Sequence, residues 1–405
     1  MPLNLRGEPS HPGLLDLPWE QPLEEWSRDL LVGLPRGISR HVVRFVRLES
    51  RVYAVKEIGE HAARREYALL RQLERSSIPT VHPIGIVEGR TGSDGEPLEP
   101  ALVTLHLEFS LPYRALLSQA LRPETATRLL DALAVLLVRL HLAGYWWGDC
   151  SLSNTLFRRD AGSFSAYLVD AETAEKHDRL SDGQRQDDLT RAKTNIIGEL
   201  MDLEAGELLD PALDPVETGD TIFARYGELW EALTGPQTVR VGERASVESR
   251  IRRLNELGFD VDEVEVTRDA DGSHVRVQPK VVDAGHHARR LLRLTGLDVE
   301  ENQARRLLNE IDAYRASTDK KDEPEELVAH SWIVEVFRPV VSQIPRDLRG
   351  KLEPAEVFHE VLEHRWFLSE KARGEIGLLP AAQDYVENVL RHKPDEIAIL
   401  VEVPP

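Results

Sequence analysis

The sequence contains a small set of acidic, amide and amine side chains whose types suit metal-ion and phosphate binding. They are Lys56, Glu66, Asp149, Asn154 and Asp170. Carboxylate and amide oxygens suit Mg²⁺, which takes few protein ligands and keeps its other positions for phosphate and water. Asp149 is followed directly by the only cysteine, Cys150. The first question is therefore whether the acidic and amide groups or the lone thiol do chemistry.

The segments around Asp149 would bring the acidic and amide groups to one edge. A long apolar helix is predicted over 122–144, with Gly144 as its stop. NTLFRR and AYLVDAE are predicted short strands, which place Asn154 before the first and Asp170 just past the second. Each residue alone would be interpreted as a turn or cap residue. Their order and spacing together indicate a magnesium site at the loop edge of a small sheet.

Lys56 and Glu66 are predicted to meet across a strand and a helix. HVVRFVRL and RVYAVKEI form a predicted hairpin, with Lys56 late in its second strand. On the following helix, HAARREYALLRQLE, Glu66 lies in the middle of the apolar stripe. A carboxylate there is costly unless it is paired, and Lys56 is the nearest candidate. The alternative is that Glu66 reaches the helix edge and solvent.

This order of residues resembles the protein-kinase-like superfamily: Lys56, Glu66, then D-x-x-x-x-N at 149–154, then Asp170. The GDCSLSN form resembles the branch of lipopolysaccharide (Kdo) kinases, RIO-type kinases and aminoglycoside phosphotransferases. Residues 31 to about 240 carry the resemblance. The whole chain is similar to a bacterial family in which a lipopolysaccharide-kinase-like domain precedes a C-terminal domain of unknown function.

The resemblance implies an α+β, bilobal kinase-like fold that uses ATP and Mg²⁺. It implies that Asp149 is the catalytic base, that Asn154 and Asp170 bind Mg²⁺, and that Lys56, held by Glu66, binds the α and β phosphates. It also places the adenine against the lobe connector and the phosphates under a glycine-rich turn. The residues implied there are His106, Leu107 and Glu108 in the connector, and Gly33, Gly37 and Ser39 in the turn.

Three departures from the kinase pattern affect these expectations. Trp147-Gly148-Asp149 lacks the usual arginine, so control by a phosphorylated activation loop is not expected. Asp170-Ala171-Glu172 keeps the aspartate but not the Phe-Gly switch; Glu172 is either an auxiliary ligand or a surface residue. The segment from Ala171 to Asp187 is short and has no APE motif, which favours a small-molecule or unusual protein acceptor.

Other residues leave alternatives open. Asp188 resembles the aspartate that braces the catalytic-loop backbone, or it is an N-cap. Cys150 is expected to be a buried apolar group, because a neighbouring carboxylate disfavours a thiolate. His359 and His364 are five apart and share no helix face, which disfavours zinc. His286-His287 marks either an anion site at a helix start or a solvated turn.

Composition limits the remaining classes of function. The chain has 405 residues, 41% of them hydrophobic, and a net charge of -20, which disfavours nucleic acid as a partner. One cysteine and no signal-peptide pattern favour the cytoplasm, and the apolar run 129–147 is too interrupted by charge to span a membrane.

The predicted organisation has four parts and leaves three functions open. We expect an N-terminal strap (1–30), a kinase-like N-lobe (31–109), a C-lobe (110–240) and a mostly helical C-terminal domain with a β-hairpin (246–405). The main expectation is an ATP/Mg²⁺-dependent phosphotransferase with an unknown acceptor. The alternatives are a nucleotide-binding pseudokinase that engages a protein partner through 246–405, and a nucleotidyltransferase on a kinase fold.

Overall fold

The structure is a computed structural model. It describes residues 3–7, 11–34, 41–49, 51–117, 123–235, 237–240, 254, 259, 261–268, 274–281, 285–318 and 320–393. Gly37 and Ser39 of the predicted phosphate turn lie outside these residues. The sequence also predicts a helix over 246–257, and of that range the structure describes only Leu254.

The elements follow one another as two mixed α/β parts and then a helical part. The strands are β1 (Asn4–Gly7), β2 (Val43–Leu48), β3 (Arg51–Glu57), β4 (Pro83–Glu88), β5 (Ala101–Leu105), β6 (Ser110–Pro112), β7 (Tyr145–Trp146), β8 (Thr155–Asp160), β9 (Ser163–Leu168), β10 (Glu175–Lys176), β11 (Gln237–Arg240), β12 (Val261–Arg268) and β13 (His274–Val281). The helices are α1 (Glu60–Arg75), α2 (Tyr113–Leu117), α3 (Pro123–Leu142), α4 (Asp182–Ala205), α5 (Pro215–Thr234), α6 (His286–Thr295), α7 (Glu301–Ser317), α8 (Glu325–Trp332), α9 (Arg338–Val341), α10 (Pro354–Ala372) and α11 (Leu378–Asn388).

The first part is a five-stranded antiparallel sheet in the order β1-β4-β5-β3-β2. The predicted hairpin is confirmed, and it pairs Val43 with Lys56. Because successive side chains alternate between faces, Val55 packs in one apolar cluster while Lys56 points to the opposite face, towards α1. The sheet thus places the amine of Lys56 on the same side as Glu66 and Asp170.

The predicted strap packs on the other face of this sheet. Its apolar side chains, which include Trp19 and Trp26, form a cluster with Val55, Val87 and Val103. The segment also contributes a strand that the sequence did not predict, since β1 pairs with β4. Burial of these aromatic side chains explains why a Pro- and Trp-rich segment adopts a fixed path.

The second part joins α3, α4 and α5 to the antiparallel sheet β6-β8-β9. The sequence pattern DDLTRAKTNIIGELMDLE predicts a helix from Asp187, but helix α4 already starts at Asp182. Ser181 and Gln184 form a capping box there, a signal that was present in the sequence. The N-cap interpretation of Asp188 is therefore wrong, because Asp188 lies well inside the helix. Helix α5 was not predicted.

The C-terminal part has its own apolar core, built from α6–α11 around Trp332, Phe337 and Phe358. The predicted hairpin is confirmed as β12 and β13, and β11 adds a third strand that was not predicted. The sequence predicts one helix over 325–343. The structure instead has a π-helical segment, Ile333–Phe337, between α8 and α9. None of the helices that the structure describes combines the length and the apolar character needed to span a bilayer.

The tip of the β8–β9 hairpin is buried against the C-terminal helices through charged groups. Arg158 lies between Glu300 (3.1 Å) and Glu353 (2.9 Å). Asp160 accepts hydrogen bonds from the backbone N–H groups of Gln303 (2.7 Å) and Asn302 (3.3 Å), at the start of α7. Free N–H groups and the helix dipole stabilise a carboxylate at this place. The hairpin therefore connects the two parts of the molecule.

We predict that Arg158→Ala lowers the free energy of unfolding by roughly 3–5 kcal/mol, because it leaves two carboxylates facing each other in a buried site. Arg191→Ala is the matched control, since that arginine is 54% exposed and pairs with Asp187 on the surface. Its cost should stay below about 1 kcal/mol. Urea unfolding of both variants measures the difference, and equal costs would show that the Arg158 contacts do not hold the parts together.

Candidate active site

The loop 147–153 is held by the carboxylate of Asp188. Asp188 is fully buried on α4 and accepts the backbone N–H groups of Trp147 and Gly148, each at 2.8 Å. His141 lies 3.0 Å from the same carboxylate and 2.7 Å from the hydroxyl of Tyr226. The prediction that Asp188 braces this loop is confirmed. The two hydrogen bonds fix the backbone directly before Asp149.

Gly148 is required by the backbone at this position. Its φ is +77°, in the left-handed region, and an added Cβ would lie 2.3 Å from the ring of Trp146. The chain can therefore turn sharply just before Asp149. This explains why glycine stands directly before the candidate base.

Two more residues of α4, which the sequence analysis missed, hold the rest of the loop. Asn195 Nδ2 donates to Asp149 Oδ1 and to the carbonyl of Cys150, both at 3.2 Å. Glu199 accepts the backbone N–H of Leu152 at 2.6 Å and that of Ser153 at 3.1 Å. The sequence did contain a signal for them. Polar residues recur at 188, 195 and 199, and separations of seven and four residues place them on one face of a helix.

Lys56 and Glu66 form the predicted ion pair, at 3.1 Å. Lys56 also lies 2.9 Å from Asp170, so one amine bridges two carboxylates from different lobes. Burial raises the pKa of Glu66 to about 7, and the charge of Asp170 adds to this, while Lys56 opposes it. Burial lowers the pKa of Lys56, but Glu66 and Asp170 outweigh it and the net shift is upward. The alternative in which Glu66 reaches solvent is wrong, because its side chain is 2% exposed.

Glu172 joins this cluster rather than the surface. Its carboxylate lies 2.9 Å from His41 Nε2 and 3.6 Å from Lys56 Nζ. Its backbone N–H donates to Asp170 Oδ1 at 3.0 Å, which fixes the turn after β9. The residue that replaces the usual Phe-Gly switch therefore adds a third carboxylate near Lys56.

Asn154 and Asp170 have the donor types that fit Mg²⁺. Asn154 Nδ2 faces Asp149, donating to its carbonyl at 3.0 Å and lying 3.4 Å from Oδ2, so Oδ1 of Asn154 points away from Asp149. The side chain of Asp170 is 29% exposed and its carboxylate lines the same cleft. One amide oxygen and one carboxylate beside an open cavity match a metal that completes its shell with phosphate and water.

A cleft of about 1020 Å³ joins these groups. It is lined by Lys56, Asp149, Asn154 and Asp170, and it extends to α4 on one side and to His106 and Leu107 of the connector on the other. Burial lowers the pKa of His106 to about 4, so its ring is neutral at neutral pH. The side chain of Glu108 is exposed to solvent.

The start of the glycine-rich segment lies beside β2. Leu31 forms a bridge with Val46, and the N–H of Val32 donates to the carbonyl of Phe45 at 2.8 Å. Gly33 comes directly after this short pairing. His41 and Val42, directly before β2, line the cleft.

Cys150 is buried inside the C-lobe core, as predicted. Burial raises the pKa of its thiol, and the nearby carboxylates of Asp188, Glu199 and Asp149 raise it further. A thiol held protonated in an apolar core is not a nucleophile. The cleft is therefore lined by Asp149 and not by the thiol of Cys150.

The histidine pairs have separate partners. His364 contacts Asp384 at 2.6 Å, while His359 is buried beside Glu363 at 3.3 Å. At the start of α6, Glu301 accepts the backbone N–H groups of His287 and Ala288, both at 3.0 Å. The carboxylate of Glu301 therefore occupies the place that an external anion would take at this helix start.

Two family models agree with the resemblance found in the sequence. Residues 44–204 match the sequence model of the lipopolysaccharide kinase (Kdo/WaaP) family, and residues 228–390 match a domain of unknown function, DUF4032. A solved structure described as WaaP in complex with acyl carrier protein is similar at 18% identity and a TM-score of 0.37, covering 63% of this chain and 99% of that chain. No curated protein matches.

We predict that Glu66→Gln becomes more stable relative to the wild type as the pH rises from about 4.5 to about 7. The pKa of Glu66 is raised from 4.5 to about 7 in the folded state, so protonated Glu66 favours folding and this contribution is lost as the pH rises through about 7. Urea unfolding over this pH range measures the difference in the free energy of unfolding between the variant and the wild type.

The control is Glu60→Gln, on the same helix, whose carboxylate is 61% exposed. The difference in the free energy of unfolding between Glu60→Gln and the wild type should change little with pH. A Glu66→Gln gap that is constant across the range would show that Glu66 ionises normally and that the buried pair is misassigned.

Proposed function

We propose that this chain is an ATP- and Mg²⁺-dependent phosphotransferase. The observation that carries the proposal is that Lys56, Asp149, Asn154 and Asp170 line one cleft, although 114 positions separate Lys56 from Asp170. The match of residues 44–204 to a kinase family supports the same class. Phosphoryl transfer depends mainly on positioning and charge stabilisation, which is what this set of groups supplies.

In the proposed reaction, an acceptor hydroxyl attacks the γ-phosphorus of ATP. A bond forms between the hydroxyl oxygen and phosphorus, the bond to the β–γ bridging oxygen breaks, and ADP leaves with that electron pair. Asp149 accepts the hydroxyl proton. Asn154 and Asp170 would hold Mg²⁺, which supplies charge neutralisation on the phosphates when bound.

Lys56 has to exchange partners when nucleotide binds. Its amine is engaged by Glu66 at 3.1 Å and by Asp170 at 2.9 Å, and Glu172 lies 3.6 Å away. We propose that Glu66 would keep its contact, because it is the more deeply buried carboxylate, whereas Asp170 would release the amine to serve as a Mg²⁺ ligand. The amine is then free to contact phosphate oxygens.

One observation favours a second candidate, a nucleotide-binding pseudokinase. Three carboxylates surround Lys56, and a stable cluster of this kind would compete with phosphate for the amine. Incubation with γ-labelled and α-labelled ATP distinguishes the candidates. Transfer of only the γ label supports the kinase, transfer of the α label indicates nucleotidyl transfer, and binding without transfer or hydrolysis indicates the pseudokinase.

The nucleotide prediction is that ATP raises the melting temperature only when Mg²⁺ is present. A ligand at 100-fold excess over its dissociation constant contributes about 2.7 kcal/mol. Asp170→Asn should remove the metal-dependent part, because it removes the charged ligand. Asp187→Asn, on the surface of α4, is the control and should keep it. An equal shift in EDTA would contradict the metal assignment.

The chemical prediction compares Asp149 with its neighbour. Asp149→Asn should lower ATP hydrolysis or autophosphorylation by about 10²–10⁴-fold, the usual contribution of a general base. The melting shift with ATP and Mg²⁺ should stay, because Asp149 faces the acceptor side of the cleft. Cys150→Ala should keep most of the turnover, since its thiol is buried. If Cys150→Ala abolishes turnover while Asp149→Asn retains it, the assignment of this loop is wrong.

A further inference from the structure

A helix that is distant in sequence reaches the candidate base directly. Asn195 lies on α4, and its Nδ2 donates to Asp149 Oδ1 at 3.2 Å. The same nitrogen donates to the carbonyl of Cys150 at 3.2 Å, so the amide contacts both the side chain of the base and the backbone that carries it. Both Asn195 and Asp149 line the cleft.

The position of Asn195 is fixed by its neighbours on the same helix face. At about 100° per residue, Asp188, Asn195 and Glu199 lie within about 40° of one another around α4. Asp188 holds the loop at Trp147 and Gly148, and Glu199 holds it at Leu152 and Ser153. Asn195 lies between these two anchors and contacts the part of the loop that carries the base.

We infer that Asn195 is a positioning residue that sets the orientation of the Asp149 carboxylate towards the acceptor. An aspartate side chain can rotate, and a base must present an oxygen lone pair to the acceptor proton. A donor on Oδ1 removes that freedom, while each carboxylate oxygen has two lone pairs and can still accept the proton. The inference rests on the proposed phosphotransferase function.

A neutral amide suits this role for an electrostatic reason. A lysine or arginine at 195 would compete with the acceptor and with the metal for the same carboxylate, whereas an amide orients the group without adding charge to the cleft. An aspartate at 195 would have the same size but no donor, and it would repel Asp149. The type of side chain, and not only its size, is therefore predicted to matter.

The test measures ATP hydrolysis with γ-labelled ATP on the full chain. Asn195→Ala is expected to lower kcat by roughly 10-fold to 100-fold, because misplacing a catalytic group by about 1 Å costs about that much. Asn195→Asp should lower kcat further. KM for ATP and the melting temperature should change little, since Asn195 contacts the base and alanine is a good helix former.

The control is Thr190→Ala on the same helix. Its hydroxyl donates to the carbonyl of Gln186 at 2.7 Å, at an exposed position away from the loop. Wild-type turnover is expected from this variant.

A double-mutant cycle separates a positioning role from a structural one. If Asn195 acts through Asp149, Asn195→Ala should have little further effect in an Asp149→Asn background. Equal losses from Asn195→Ala in both backgrounds, or a kcat unchanged in Asn195→Ala, would overturn the inference. Failure of the proposed function is distinguishable, since the wild type itself would then bind ATP without turning it over.

Discussion

The buried carboxylate of Asp188 is the constraint on which the site depends. It accepts two backbone N–H groups that the sharp turn at Gly148 would otherwise leave without partners inside the C-lobe. An unpaired N–H in such a place costs the full desolvation penalty. The loop, the turn and helix α4 are therefore fixed together. The arrangement explains why helix α4 must extend well past Asp188, far enough to present Asn195 and Glu199 to the same loop.

In the cleft, one amine contacts three carboxylates. Lys56 is the amine between Glu66, Asp170 and Glu172, which come from both lobes. Glu66 is the most deeply buried of the three, and its pKa rises to about 7. Such a cluster holds the lobes in register, and it also leaves negative charge that a divalent cation can neutralise. The same electrostatics that burden the cluster thus favour a cation beside it.

The β8–β9 hairpin connects this cleft to the C-terminal helices. Asn154 stands directly before β8 and Asp170 follows β9 by two residues, so both candidate metal ligands lie at the base of the hairpin. Its tip carries Asp160, which is buried at the start of α7. The two strands between the tip and the base are paired along their whole length, from Thr155–Leu168 to Asp160–Ser163. The region that matches a domain of unknown function therefore contacts the hairpin whose base carries the candidate ligands.

The sequence by itself determined the elements whose signals are local. The hairpin carrying Lys56, the helix carrying Glu66 and the strands beside Asn154 and Asp170 follow from side-chain periodicity, and the kinase-like order of these residues indicated the site. Only the tertiary structure decided which residues support the loop. Asn195 and Glu199 look like ordinary polar residues of a surface helix, because the groups they contact are more than 40 positions away. The same reason applies to Glu172 and Arg158, since periodicity reports which face a residue occupies and not which distant charge that face will meet.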